Sequence, residues 1–265
     1  MMFVAAECTP TSFKDFTLIM PAISVGNVGQ LAVDLIVSTL NMCRVGYIHT
    51  DCLIPMAGNN PYATLAENAN DLSTNAEVYS SPELRLAVLQ IRTPIVQTKS
   101  KKFCKLMVSW IKASGFSRTV VLSSSHAYQR DDQQLLGTPL RYLQTPSMQK
   151  VTGDRLKEMD WKEMETISTF PGVTDSEQRL YIPGGGATKG LFTDSCAEDI
   201  PLHVVSVLSL CSSCAEDIPL HVVSVLSLCS SCAEDIPLHV VSVLSLCSSC
   251  AEDIPLHVVS VFQLC

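Results

Sequence analysis

The C-terminal quarter of the chain is a tandem array of one eighteen-residue unit. The unit SCAEDIPLHVVSVLSLCS occurs three times without a change over residues 195–248, and a fourth copy with an altered ending runs to residue 265. Natural repeat arrays keep their core positions, let the exposed positions drift, and carry atypical units at their ends. Identity at every position therefore indicates a recent duplication or an artefact.

The array supplies the net charge of the chain. The formal charge is −8 at pH 7, and the four copies hold eight of the 26 acidic residues but no Lys or Arg. The rest of the chain has equal numbers of acidic and basic side chains. Such a neutral body gives no reason to expect a nucleic acid, a membrane surface or an acidic substrate as partner.

Cysteine is concentrated in the same way, since eight of the twelve cysteines lie in the array. The CSSC pairs, such as Cys211 and Cys214, arise at each junction because the unit begins with SC and ends with CS, so we predict neither a zinc site nor a redox site. No basic segment precedes an apolar run near residue 1. We therefore expect no signal peptide, and free thiols in a reducing cytoplasmic or nuclear compartment.

Strands and helices alternate in the body of the chain. An apolar run at residues 16–22 predicts a strand, and apolar residues at helical spacing predict a helix over residues 28–40. Further strands are predicted at residues 45–50, 84–91, 118–123 and 178–182, and further helices at 99–114 and 155–166. This order predicts an α/β domain over residues 1–194, with a mostly parallel sheet and flanking helices, followed by a separate repeat region over residues 195–265.

We predict that the array forms short, poorly ordered helices. Eighteen residues are five helical turns, which would keep one apolar face in register, whereas the proline in each unit interrupts a continuous helix. The segment VVSVLSL is uncharged, rich in β-branched residues and free of proline. Strands are therefore the alternative.

Three motifs of the body are candidates for chemistry. Gly26 and Gly29 stand between a strand and a helix, where phosphates bind, but the Lys and Ser/Thr of a P-loop and the third glycine of a dinucleotide turn are absent. Residues 123–126 (SSSH) lack the glycines of a nucleophile elbow. The glycines at residues 184–186 have no basic residue among them. We predict structural turns at the two glycine motifs and loop capping at residues 123–126, with no catalytic residue, cofactor or metal.

Several blocks of the body resemble the family of proteasome assembly chaperones. The blocks are FTLIMPAISVGNVGQLAVDLIVSTLN, TDCLIPMAGNNPYA, NAEVYS, VLSSSHAYQRDD, RYLQTPSMQK and IPGGG, in this order along the chain. The resemblance extends from residue 2 to about residue 205. It implies an α/β fold distantly related to nucleoside phosphorylases, and no enzyme activity.

The resemblance also implies partners. Members of this family pair with a different chaperone, proteasome assembly chaperone 1, and the pair binds proteasome α subunits and promotes formation of the α ring. We predict that the helix over residues 28–40 and the loop over residues 58–62 contribute to such contacts. The residues singled out are Asp34, Ser38, Asn59, Asn60, Pro61 and Tyr62. The alternative function is a nucleoside- or phosphate-binding protein, or a phosphorylase-like enzyme, that uses the glycine turns.

The array departs from the family pattern. The first copy stands where family members have a helix, and the later copies replace the region that follows it. Family members commonly carry a penultimate tyrosine at the C-terminus for insertion into pockets of the α ring, and Gln263, Leu264 and Cys265 include no tyrosine. This difference argues against docking on the ring through the tail.

Overall fold

The computed structural model describes residues 2–6, 12–63, 70–127, 138–153, 155–168, 178–209, 222–225, 239–244 and 261–263. The strands are β1 Met2–Ala5, β2 Thr17–Pro21, β3 Cys43–His49, β4 Ala57–Asn59, β5 Leu72–Thr74, β6 Ala76–Ser81, β7 Leu86–Ile91, β8 Arg118–His126, β9 Leu140–Gln144, β10 Thr166–Ser168, β11 Gln178–Leu180, β12 Leu202–Ser209, β13 Val222–Val225, β14 His239–Leu244 and β15 Val261–Gln263. The α-helices are α1 Val28–Thr39, α2 Ser100–Ser114, α3 Pro146–Thr152, α4 Arg155–Glu158 and α5 Thr188–Ala197.

Eight of these strands form one sheet, in the order β1-β3-β6-β7-β2-β8-β12-β9. The four central strands β7, β2, β8 and β12 run parallel to one another. Antiparallel strands flank them, with β6, β3 and β1 on one side and β9 on the other. The prediction of an α/β fold built on a sheet with flanking helices is therefore confirmed.

The two long helices cover opposite faces of the sheet. Successive side chains of a strand point to opposite faces, so Leu18 and Met20 of β2 pack in the cluster that contains α2, while Ile19 packs in the cluster that contains α1. The α2 helix ends as predicted at Ser114, and the next residue, Gly115, adopts the left-handed conformation at φ 74°. A glycine takes this conformation without the steric strain that a Cβ would cause.

The segment after β8 differs from its predicted structure. No strand or helix was predicted between residues 123 and 155, but β9 and α3 lie there. The sequence Thr145-Pro146 is a helix start, because Thr145 Oγ1 accepts a hydrogen bond from Met148 N at 3.3 Å and proline is favourable at the first helical position. The helix predicted over residues 155–166 is limited to α4, since the chain then turns back and lies along β9, where Met164 N donates to Tyr142 O.

The prediction of short helices in the array is wrong for its described residues. Helix α5 ends at Ala197, three residues into the first copy, and β12 then lies between β8 and β9. In the later copies, β13, β14 and β15 form a small antiparallel sheet. The β-branched, uncharged sequence suits a strand that is buried on both faces. The main sheet therefore extends across the predicted domain boundary at residues 194 and 195.

Cysteines 43, 52, 104 and 196 are free thiols, as expected. The CSSC pairs of the array, together with Cys8, Leu264 and Cys265, lie outside the described residues. No helix in the described part of the chain combines the length and apolar character that a membrane span needs.

Candidate partner-binding site

The turn between β2 and α1 is shaped by close packing. Gly26 has φ 70°, and a Cβ on Gly29 would lie 2.4 Å from the carbonyl oxygen of Leu122 on β8. A side chain at residue 29 would push α1 away from the sheet. Both glycines are therefore accounted for by turn geometry and by the close approach of α1 to β8.

Asp34 on α1 is the centre of a cluster of polar side chains. Its Oδ1 accepts hydrogen bonds from Tyr62 OH at 2.6 Å, Gln90 Nε2 at 2.7 Å and Arg92 Nη2 at 2.9 Å. Arg92 Nη1 also donates to Oδ2 at 3.3 Å, so the guanidinium contacts both carboxylate oxygens. Such two-point, charge-assisted bonds are stronger than neutral ones and fix the geometry. Asp34 thus joins α1 to the end of β7 and to the loop after β4.

Tyr62 holds that loop against α1. Besides donating to Asp34, its hydroxyl accepts a bond from Arg92 Nη2 at 3.0 Å, and its ring lies edge-on to Tyr79 at 5.4 Å between centroids. Burial and the hydrogen bond to Asp34 both raise the pKa of Tyr62. The turn itself is set by Asn60, whose Oδ1 accepts from Tyr62 N at 3.1 Å.

A second carboxylate, Glu77 on β6, is fully buried beside this cluster. It accepts hydrogen bonds from four donors, which are Ser73 Oγ at 2.8 Å, Tyr79 OH at 2.9 Å, Thr74 N at 3.1 Å and Arg44 Nη1 at 3.2 Å. A buried charge is tolerated only when it is paired and hydrogen-bonded in this way. Arg92 Nε donates to Ser73 Oγ at 3.1 Å and links the two carboxylate clusters. Together they attach the β4–β5 ribbon to the sheet and to α1.

The structure brings some of the predicted site residues together and separates others. Asp34 and Tyr62 are in direct contact, and Asn60 shapes the turn that positions Tyr62. Asn59 belongs to β4, where it pairs with Leu72 of β5. The remaining two predicted residues, Pro61 in the turn and Ser38 one helical turn after Asp34, are exposed. Their role in partner contacts stays a prediction.

Four important members of the clusters were not identified from the sequence. They are Arg44, Glu77, Gln90 and Arg92, which lie in or directly after β3, β6 and β7. A signal for them exists in β7, where the apolar run ends in the polar residues Gln90 and Arg92 at two-residue spacing. Residues two positions apart on a strand lie on the same face of the sheet. For Gln90 and Arg92 this is the face that α1 covers.

Exposed apolar side chains lie on the α1 side of the sheet, at its β1 edge and on the β4–β5 ribbon. Residues paired directly across an antiparallel ladder share a face, and Glu77 pairs with Tyr47, which pairs with Val4 of β1. On this face Val4 is 40% and Met2 is 59% exposed, and Leu72 of the ribbon is 60% exposed. We name Met2, Val4, Tyr47 and Leu72 the α1-side surface. Met2, Val4 and Leu72 are exposed and Tyr47 is half-buried, and exposed apolar residues grouped on one side of a protein are typical of sites of protein–protein contact.

Serines near the ends of β2 and β8 bond to one another and to the start of α5, and Gly186 packs closely against the loop after β2. Ser124 Oγ lies 2.8 Å from Ser24 Oγ, and Ser123 Oγ lies 2.6 Å from Thr188 Oγ1 at the start of α5. A Cβ on Gly186 would lie 2.0 Å from Ile23 O. These groups connect the loops after β2, β8 and β11 to each other. Within the described residues, no three His, Cys, Asp or Glu side chains are grouped to hold a metal.

Comparisons with known proteins agree on one family. The model of the PAC2 family matches residues 18–217. A protein of Danio rerio named Proteasome assembly chaperone 2 is 68% identical over 206 residues, which are 78% of this chain and 79% of the relative. The Homo sapiens protein of the same name is 54% identical over 204 residues, 77% of each chain.

Solved structures share the fold. The Pyrococcus furiosus protein PbaA, named an archaeal homolog of proteasome-assembly chaperone, aligns with a TM-score of 0.53 at 12% identity over 77% of this chain and 75% of that chain. Pyrococcus furiosus PbaB, named an archaeal proteasome activator, aligns with a TM-score of 0.51 at 15% identity over 79% and 80%.

The chain therefore belongs to the PAC2 family. The resemblance seen in the sequence is confirmed, and the family match ends further toward the C-terminus than expected. The family match includes the whole first copy of the repeat and ends five residues into the second. This limit agrees with the position of β12 inside the main sheet.

Proposed function

We propose that the chain is a proteasome assembly chaperone that pairs with proteasome assembly chaperone 1 and promotes assembly of the proteasome α ring. The observation that carries the proposal is the 68% identity over 206 residues with the Danio rerio protein named Proteasome assembly chaperone 2. We also propose that the protein is located in the cytoplasm and nucleus, and microscopy of a fluorescent fusion would test this.

We further propose that the partner chaperone contacts the α1-side surface. Two observations support this choice. The surface combines apolar side chains that are 40% to 60% exposed with a neighbouring network of paired charges, and interfaces typically have such an apolar centre with a polar rim. The ribbon that carries Leu72 is also held by Arg44, which donates to Leu72 O at 2.9 Å, so it needs little reordering on binding.

The test is co-purification with proteasome assembly chaperone 1 and with α subunits. Leu72→Asp places a charge in the proposed surface, and we expect at least tenfold weaker capture of the partner chaperone. Val151→Asp is the matched control, because Val151 is 54% exposed on α3, near β9 at the opposite edge of the sheet. Asn59→Lys tests the predicted loop in the same assay.

Three outcomes are informative. Loss of capture with Leu72→Asp but not with Val151→Asp supports the surface. Equal capture by Leu72→Asp and the unchanged chain rejects the surface and leaves the chaperone function intact. Failure of the unchanged chain to capture either the partner chaperone or α subunits rejects the function.

A further inference from the structure

Strand β12 lies between two neighbouring strands of the sheet and pairs with both of them. Along its length β12 pairs in parallel with β8, from Leu202 opposite Thr119 to Ser209 opposite His126. On its other side it pairs antiparallel with β9. Every residue from Leu202 to Leu208 is buried. A strand is therefore required there to join β9 to the rest of the sheet.

The contacts that hold the start of this strand also come from the repeated unit. Thr145 Oγ1 accepts from Leu202 N at 3.0 Å and donates to Ile200 O at 2.8 Å. Ser147 donates to the carboxylate of Asp199. Lys112 of α2 pairs with Glu198 at 2.8 Å. On the array side, each of these groups lies within the first copy of the unit.

The second and third copies carry the same groups in the same order. Residues 213–227 and 231–245 are identical to residues 195–209. Strand β14 has the sequence HVVSVL, which is identical to residues 203–208, yet it pairs on both sides with antiparallel strands. The same six-residue sequence thus forms a strand in two places, with different neighbouring strands in each.

The first copy is not distinguished by a better fit. In the described structure the buried atoms His203 Nε2, Ser206 Oγ and Ser195 Oγ have no hydrogen-bond partner. Such groups reduce the advantage of burial. The side chains of β12 therefore do not favour the first copy, whose distinction is that it follows α5 directly.

We infer that the position between β8 and β9 is a docking site for the repeated unit, and that the second and third copies of the same chain exchange with the first copy there. The donor is the same chain because a tethered segment has a high effective concentration. Exchange leaves the displaced unit as a loop before the incoming copy, and the entropy of closing a loop rises only slowly with its length. The fourth copy fits less well, since Phe262 and Gln263 stand where the first copy has Leu208 and Ser209.

The test disables copies one at a time in the full chain. Val205 is 2% exposed at the centre of β12, and its equivalents are Val223, Val241 and Val259. An aspartate there cannot be buried unpaired between β8 and β9. We expect Val205→Asp to keep a cooperative thermal unfolding transition and a monomeric mass by light scattering, because another copy fills the site. The variant with aspartate at all four positions should lose the transition, and Val241→Asp alone is the matched control.

Each other result contradicts the inference. If Val205→Asp unfolds as completely as the fourfold variant, only the first copy can fill the site. If Val205→Asp folds only as a dimer, the donor is a second chain and exchange within one chain is rejected. If the fourfold variant still unfolds cooperatively with the same Tm as the unchanged chain, the sheet does not require this strand.

Discussion

The first and third copies of the repeat have one sequence and two environments. In the first copy the segment HVVSVL is part of β12, with a parallel neighbour and an antiparallel neighbour in the main sheet. In the third copy the same six residues form β14, with antiparallel neighbours on both sides. The β-branched sequence thus determines that a strand forms, whereas its surroundings determine which strands it joins. Truncations and substitutions can measure how far the two environments differ.

The largest difference is expected from truncation. A chain ending at Ser212 keeps the whole eight-stranded sheet, so we expect a folded protein with a cooperative thermal transition. A chain ending at Asp194 lacks β12, which leaves β9 detached and the buried residues of β8 exposed. We expect that chain to be insoluble or unfolded by circular dichroism. Equal thermal stability of the two truncated chains would contradict this prediction, because it would show that the fold does not need β12.

The next largest effect is a dependence of the free energy of unfolding on pH, which arises from the burial of His203 in β12. Burial lowers the pKa of His203 to about 4, from about 6.5 in an unfolded chain. The folded state therefore holds a neutral imidazole while the unfolded state takes up a proton, so stability falls as the pH decreases from 6.5 to 4. The loss is about 3 kcal/mol at most. Urea unfolding of the chain and of His203→Gln at both pH values measures it, with His239→Gln in the third copy as the control that should behave like the unchanged chain.

A smaller loss is expected at Thr145, whose described contacts with the array are to the first copy. Its hydroxyl bonds to Leu202 N, Ile200 O and Met148 N, so Thr145→Val leaves three backbone groups without this partner. We expect a loss of about 2 kcal/mol in the free energy of unfolding. Thr166→Val on the separate β10–β11 ribbon is the comparison variant, and an equally large loss there would show that the effect is not specific to β12.

The smallest effect is expected at the ion pair between Lys112 and Glu198. Both side chains are more than half exposed, and exposed pairs contribute little to stability. The hydrogen bond from Lys112 lowers the pKa of Glu198. We expect no measurable change in Tm for Glu198→Gln at pH 7. A clear decrease would indicate that this contact favours the first copy over the others.

The central elements could be predicted because their signals are local. The three successive apolar residues of β8, Val120 to Leu122, identify a buried strand, and the helical spacing of Phe103, Met107 and Ile111 in α2 identifies an amphipathic helix. The structure of the first copy could not be predicted in this way. Ser195 and Glu198 have the spacing of a helix start, but they stand at the end of α5, and the strand that follows depends on β8, whose residues lie about eighty positions earlier.

The candidate site was predicted only in part for the same reason. Asp34 and Tyr62 were chosen separately, one from a helix and one from a loop, and the sequence does not show that they bond to each other. Their shared partner Arg92 is 58 residues from Asp34 along the chain. A polar residue that follows an apolar strand has many candidate partners, and only the topology of the sheet selects among them.

The place of β12 in the sheet has a consequence for synthesis of the chain. Strand β9 ends at Gln144, whereas the strand that joins it to β8 begins at Leu202. At elongation rates of about 5 to 20 residues per second, roughly 3 to 12 seconds pass between these two points. During this interval β8 presents an unpaired edge, to which other extended chains can add. The speed of the ribosome therefore sets how long the growing chain is vulnerable to wrong association, and a slow codon in this interval would lengthen that exposure.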